Sequence, residues 1–134
     1  MLYQGDSLAL RRFSIVMIVL GFSFIFVIPF STEILPAQFR WSNPEVNLAD
    51  ERMIIAMYIA LGVCFLMGAK NPVGTSIIID YTIISSILHG GVMLYYALKL
   101  KGEMPHMWGD VPLLFGIAVG LAIFHPRRLA RRDG

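Results

Sequence analysis

The sequence predicts an all-α integral membrane protein, a four-helix bundle with its N- and C-terminal segments on the same, cytoplasmic side of the bilayer. Three observations carry this reading. Of 134 residues, 57% are hydrophobic and 15% charged, whereas a soluble domain carries ~25% charge. The mean hydropathy is +0.69. The charges are also segregated between apolar runs, and these runs approach the ~20 residues that cross a ~30 Å hydrocarbon core. Residues 1–134 read as one membrane domain with no separate soluble module.

The first span is expected over residues 13–30, after Arg11 and Arg12 and with Pro29 near its exit. A basic stretch before an apolar run also opens a signal peptide. This run is longer than a ~7–15-residue signal core and no small-x-small cleavage site follows it, so the span reads as uncleaved. Residues 31–52 form the longest polar connection, with Pro36, an Asn43-Pro44 turn signal, and acidic Glu33, Glu45, Asp50 and Glu51. Within it, residues 34–41 read as a short interfacial segment, because Phe39 and Trp41 suit the headgroup level.

Residues 53–69 form the second expected span, and Lys70-Asn71-Pro72 reverses the chain. The third span covers residues 73–98, and residues 99–109 make a short loop. Residues 110–125 form the fourth. Asp110 stands where an N-cap belongs, Pro112 falls in the first turn, and His125-Pro126 stops the helix.

Lys and Arg set the orientation. Arg11, Arg12, Lys70, Arg127, Arg128, Arg131 and Arg132 fall on one side, and Arg40, Arg52, Lys99 and Lys101 on the other. Seven against four makes the first side cytoplasmic, in a bacterial inner membrane. The lone Cys64 lies in an apolar run, so no internal disulfide framework exists.

The third span is the most informative stretch, because Asp80, Thr82, Ser85, Ser86 and His89 interrupt it. An ionisable group at membrane depth costs at least ~2.5–3.5 kcal/mol, so such groups face protein or water. At ~100° per residue, Thr82, Ser86 and His89 share one face with Met93. Asp80 precedes His89 by nine positions, ~13 Å of rise, and falls on the opposite face. His89 has a structural reading, a hydrogen bond to a hydroxyl or carbonyl on a neighbouring helix. Its functional readings are proton transfer, ligand contact or metal ligation. Asp80 is expected to reach Arg11, Arg12 or Arg127, or to stay neutral through burial. Thr82, Ser86, His89 and Asp80 are the candidate ligand-binding residues.

Small residues four apart mark helix contact faces in lipid. Ala56, Ala60, Cys64 and Gly68 form such a series in the second span, and Gly116 and Gly120 in the fourth, with Ala118 and Ala122 alongside. Packing within the bundle is the first expectation and a dimer seam the second. Met104, His106 and Met107 are soft ligands that could take copper, although methionine is common in this chain and Trp108 marks the same segment as interfacial. A bis-histidine haem within one copy is excluded by depth, since His89, His106 and His125 fall at three different levels; a haem shared by two His89 residues across a dimer stays open. No phosphate-binding loop, dinucleotide fingerprint, zinc helix or nucleophile elbow is present.

Glu51-Arg52 with Tyr58 and Leu61-Gly62, then SSILHG at residues 85–90, then Gly109-Asp110-Val111-Pro112 resemble the DoxX-like superfamily of small four-helix membrane proteins and its relatives. The likeness covers roughly residues 51–126, and the first helix matches only in character. It implies a four-helix membrane bundle. Members range from subunits of quinone-linked oxidoreductases to proteins with no known activity, so no catalytic residue carries over.

Three functional readings follow. The first is a non-enzymatic membrane subunit that associates with itself or with a larger respiratory, photosynthetic or transport complex. The second is a redox component that binds quinone between helices through His89. The third is a small transporter or channel-forming oligomer that uses Asp80. Quinone or lipid is the only bound small molecule these readings call for, and no reading involves nucleic acid.

Overall fold

The computed structural model describes residues 2–34 and 44–133, and all regular structure among them is helical. In chain order the elements are α1 (Leu8–Phe22), a π-helical turn (Ser23–Val27), α2 (Ile28–Ile34), α3 (Pro44–Gly68), α4 (Ser76–Lys99), a 3-10 turn (Met104–Trp108), α5 (Asp110–Ile123) and α6 (Pro126–Asp133). Three stretches are long and apolar enough to cross a membrane: Leu8–Ser31, Ser76–Lys99 and Met104–Arg132. Arg52–Gly68 is apolar but shorter. This is the architecture of a helical membrane bundle.

Several boundaries differ from the sequence reading. The first helix starts at Leu8 rather than residue 13, because the Ser7 hydroxyl accepts the Leu10 N–H at 3.1 Å and caps it. Helix persists through Pro29, which cannot donate to the carbonyl four residues back. The wider π turn just before it absorbs that mismatch. The expected polar connection over residues 31–52 is shorter than anticipated, since α2 runs to Ile34 and α3 begins at Pro44. Proline at the first helical position loses no hydrogen bond. The expected interfacial segment lies, beyond Ile34, outside the described residues. After His125 the chain turns into α6, whose start is tied by the Arg128 and Leu129 N–H groups donating to the His125 carbonyl at 2.9 and 3.1 Å.

The helices associate as two pairs. α1 and its π extension pack on α3, and α4 packs along α5. One apolar core joins the pairs at the end where α1 begins: Phe13, Met17, Phe24, Phe65, Ala69, Ile79 and Leu121 are buried together. A second, smaller core of Met93, Val111 and Leu114 lies between α4 and α5 alone. α6 packs against α1, with Leu129 set against the first core. Ser14, fully buried, donates to the Ala69 carbonyl at 2.7 Å and accepts the Tyr3 N–H at 3.1 Å. The α3–α4 reversal is held by Asn71, whose side chain accepts the Gly74 N–H at 3.0 Å, and by Thr75, whose hydroxyl lies 3.0 Å from the Gly68 carbonyl and 2.8 Å from that of Asn71.

Most of the small-residue series lies outside the contacts within one copy, the first of its two expected roles. Ala56, Ala60 and Cys64 are exposed, and a Cβ added to Gly116 or Gly120 would meet nothing within 4 Å. Of that set Gly68 sits at a contact, where its Cβ would lie 2.7 Å from the Thr75 hydroxyl, and the neighbouring Ala118 is buried. Close approach occurs instead where α1 crosses α3. A Cβ on Gly62 would come within 2.7 Å of the Gly21 carbonyl oxygen, and one on Gly21 within 2.8 Å of the Leu66 side chain. A four-residue spacing of small side chains marks a face, but it does not say which face a neighbour covers.

The consequence for stability is specific. Gly62→Ala forces backbone apart and should lose about 1–3 kcal/mol, the usual range for overpacking. Leu121→Ala, at a buried core site, should cost about 2 kcal/mol or more. Gly120→Ala should be neutral or gain up to ~1 kcal/mol through helix propensity. Unfolding midpoints in detergent check this order, and a Gly120→Ala loss equal to that of Gly62→Ala would contradict it.

Candidate functional site

α4 positions the polar groups. Its buried stripe runs Ser76, Ile79, Thr82, Ser86, Gly90, Met93 and Ala97, the three-and-four spacing of one helix face. Gly90 lets α5 come close: an added Cβ would sit 3.3 Å from the Phe115 ring and 3.5 Å from Leu114. Thr82 and Ser86 are therefore packing residues. The Thr82 hydroxyl donates to its own helix, at the Ile78 carbonyl 2.7 Å away, and Ser85 does the same to Thr82 at 3.2 Å.

Asp80 lies off that stripe and faces the junction of α5 and α6. One carboxylate oxygen is 3.0 Å from His125 Nε2 and the other 2.9 Å from an Arg127 guanidinium nitrogen. The Arg127 backbone N–H donates to His125 Nδ1 at 3.3 Å, which leaves Nε2 as the nitrogen that donates to Asp80. Arg127 is among the three arginines the sequence offers as partners. His125 is not among the expected partners of Asp80, although its place at a helix end marked by proline is visible in the sequence. Arg127 is half exposed and Asp80 about one-third exposed, so the ion pair contributes ~0–1 kcal/mol. Its role is to fix the direction of α6.

His89 belongs to a second cluster, at the other end. Its Nδ1 is 3.3 Å from the Tyr58 hydroxyl on α3, and the two rings stack with centroids 6.3 Å apart. Tyr58 continues an aromatic column: Phe24 lies 5.6 Å from Tyr58 and 5.6 Å from Phe65. Asp110 opens α5. It does not cap its helix as the sequence suggests; Gly109 holds that position, and the Asp110 carboxylate instead takes His106 Nδ1 at 2.8 Å. His106 Nε2 lies 3.3 Å from Glu103. Both His106 and Glu103 are almost fully buried.

The structure thus separates the four sequence-derived ligand residues. Asp80 and His89 serve different clusters, and Thr82 and Ser86 serve the helix interface. It pairs Tyr58 with His89 and, separately, His106 with Glu103 and Asp110; of these only His89 and His106 are expected site residues. Met104 is exposed and Met107 half-buried, while the imidazole of His106 is engaged on both sides by carboxylates. Among the described residues no group of three or more His, Cys, Asp and Glu is placed to hold a metal ion.

Removing one member of the Glu103–His106 pair leaves a buried polar group without its partner. His106→Leu should lose about 1–3 kcal/mol, and a His106→Leu, Glu103→Leu double variant should recover much of it, because replacing both partners by apolar groups is nearly neutral. Detergent unfolding of the two variants tests this. A double variant no more stable than the single would show that the pair does not act as a unit.

No curated protein and no solved structure matches the chain. A family does match over residues 8–132, from the first turn of α1 to the end of α6. The chain belongs to that family, DUF6632, a family of unknown function.

Proposed function

We propose that the chain is a small, non-enzymatic integral membrane subunit that associates with itself or with a larger membrane complex. One observation carries the reading: most of the small residues in the series on α3 and α5 lie away from the chain's own cores. Ala56, Ala60 and Cys64 are exposed, and the space beyond Gly116 and Gly120 is open. In lipid the hydrophobic effect does not hold helices together, and association relies on close backbone approach through such residues. Large apolar side chains such as Phe30, Met67, Ile77 and Leu88 are exposed, as a lipid-facing surface requires.

On this reading all four long helices cross a bacterial cytoplasmic membrane, with Arg52–Gly68 as the shortest crossing. The start of α1 and all of α6 lie at one end of the bundle, where α6 packs on α1. That end carries the seven basic residues named above and faces the cytoplasm. A DoxX-like layout accords with this arrangement.

The Tyr58–His89 pair favours a second reading, in which a quinone or similar lipid-soluble carbonyl compound enters between α3 and α4 and bonds to His89. A pore built on Asp80 gains less support, since both of its carboxylate oxygens are already engaged.

Association is tested by mass measurement of the full chain extracted in mild detergent. We expect a complex larger than one copy, and expect Ala60→Leu with Gly120→Leu to release it with unchanged helix content. Val19→Ala, at an exposed site on α1 rather than on either series, should leave it intact. A wild-type monomer with no co-purifying protein would overturn the proposal, and bound quinone lost in His89→Leu would favour the second reading.

A further inference from the structure

α6 is short, but its two sides have opposite characters. At ~100° per residue Arg127, Arg128, Arg131 and Arg132 fall within an arc of ~140°, while Pro126, Leu129 and Ala130 occupy the opposite side. The structure uses that division. Pro126 is buried and Leu129 rests on the core that contains Phe13 and Met17, while all four arginines are exposed. Among the described residues, Arg127 is the one of the four held in an ion pair, with Asp80. That pair and His125 fix the helix across the end of the bundle and leave Arg128, Arg131 and Arg132 facing outward.

Other cations gather at the same end. Arg11 and Arg12 are exposed in the first turns of α1, on which α6 packs, and Lys70 is exposed in the α3–α4 reversal beside Ala69, which Ser14 of α1 holds. The acidic residues of this end are Asp6, Asp80 and Asp133, and Asp80 is already compensated. A positive collar remains where the apolar flanks of α1 and α4 begin. In a membrane this level is that of the lipid phosphates.

We infer that this collar is a binding surface for anionic phospholipid headgroups, with Arg128, Arg131 and Arg132 of α6 as its principal contacts. Charge complementarity selects the ligand class: guanidinium forks match phosphate oxygens, and basic residues beside a membrane span draw acidic lipids. The apolar underside of α6 holds the arginines in the plane of the headgroups. The inference rests on the membrane reading above, and it goes further by stating which lipids the chain prefers and through which residues.

The test uses the full chain in a zwitterionic detergent. Dioleoylphosphatidylglycerol or dioleoylphosphatidylcholine is added and the unfolding midpoint followed. Phosphatidylglycerol should raise the midpoint and phosphatidylcholine should not. R128Q/R131Q/R132Q should weaken the response on the order of 100-fold in lipid concentration, from the loss of three headgroup-level charges. R128K/R131K/R132K should keep most of it, which separates charge from any structural effect of the side chains. K99Q/K101Q, with charges removed at the other end, should respond like the wild type. Equal responses to the two lipids, equal losses in the arginine and lysine-to-glutamine variants, or a single-stranded DNA 20-mer as effective as phosphatidylglycerol would each overturn the inference. Flotation of the wild-type chain with carbonate-washed vesicles tests the membrane reading separately. Failure to float would sink both, whereas flotation without lipid preference would sink only this one.

Discussion

A polar group on an apolar helix has to find its partner on another helix, and α4 carries two such groups that tie it to three neighbours. Asp80 reaches the junction of α5 and α6 through His125 and Arg127. His89 reaches α3 through Tyr58. Asp80 lies ~13 Å of rise from His89 and on the opposite face, so the two contacts constrain α4 in both depth and rotation. Its buried stripe then faces α5. Dispersion and close packing supply the attraction, as they must where lipid is as apolar as leucine. The polar contacts choose among the packings that attraction alone would leave nearly equivalent.

The close-packed crossing of α1 and α3 depends on a different device. Gly21 and Gly62 meet with no room for a Cβ on either, and Phe24, Phe65 and Tyr58 fill the space alongside with edge and tilted ring contacts. The π turn that contains Phe24 makes this compatible with Pro29 a few residues later. Without the wider turn, proline would break the helix ladder near where the aromatic column has to be built. The buried Ser14 then fixes the near end of the same crossing by bonding to the Ala69 carbonyl, the point where α3 stops.

The separation of Asp80 and His89 was legible in the sequence because it depends only on helix geometry. Nine residues at ~100° each put them on opposite faces whatever surrounds the helix. The presence of four apolar runs was legible for a similar reason, since composition over ~20 residues is a local property. Helix ends were less so: a lone Ser7 cap and a Pro44 start are weak signals beside the apolar runs they precede. Partner identity was legible only for Arg127, one of three arginines expected near Asp80. Tyr58 is 31 residues from His89 and His125 is 45 from Asp80, and nothing local announces either pairing. Which small residues pack inside one copy was not legible for the same reason. Ala56, Ala60 and Gly116 obey the spacing, whereas Gly62 stands outside the series, yet only the arrangement of the other helices decides which of them is covered.

The two ends of the bundle are held in different ways, and this bears on where the chain can open. At the end that carries α6, a single core involves α1, α3, α4 and α5, and Asp80 bonds to groups 45 and 47 positions away. At the other end the core belongs to α4 and α5 alone. The Glu103–His106–Asp110 contacts there are local, three and four residues apart, so they move with the α4–α5 hairpin. Among the described contacts α3 is tied to that half of the hairpin through Tyr58 and His89, by one long hydrogen bond and one ring stack. A lipid-soluble molecule that parted α3 from α4 would therefore replace little: one hydroxyl–imidazole bond, which its own carbonyl could restore to His89. Parting the helices at the opposite end would expose the shared core and strand Asp80. If the bundle admits a ligand, the energetics place its way in beside His89, with the α6 end acting as the fixed hinge.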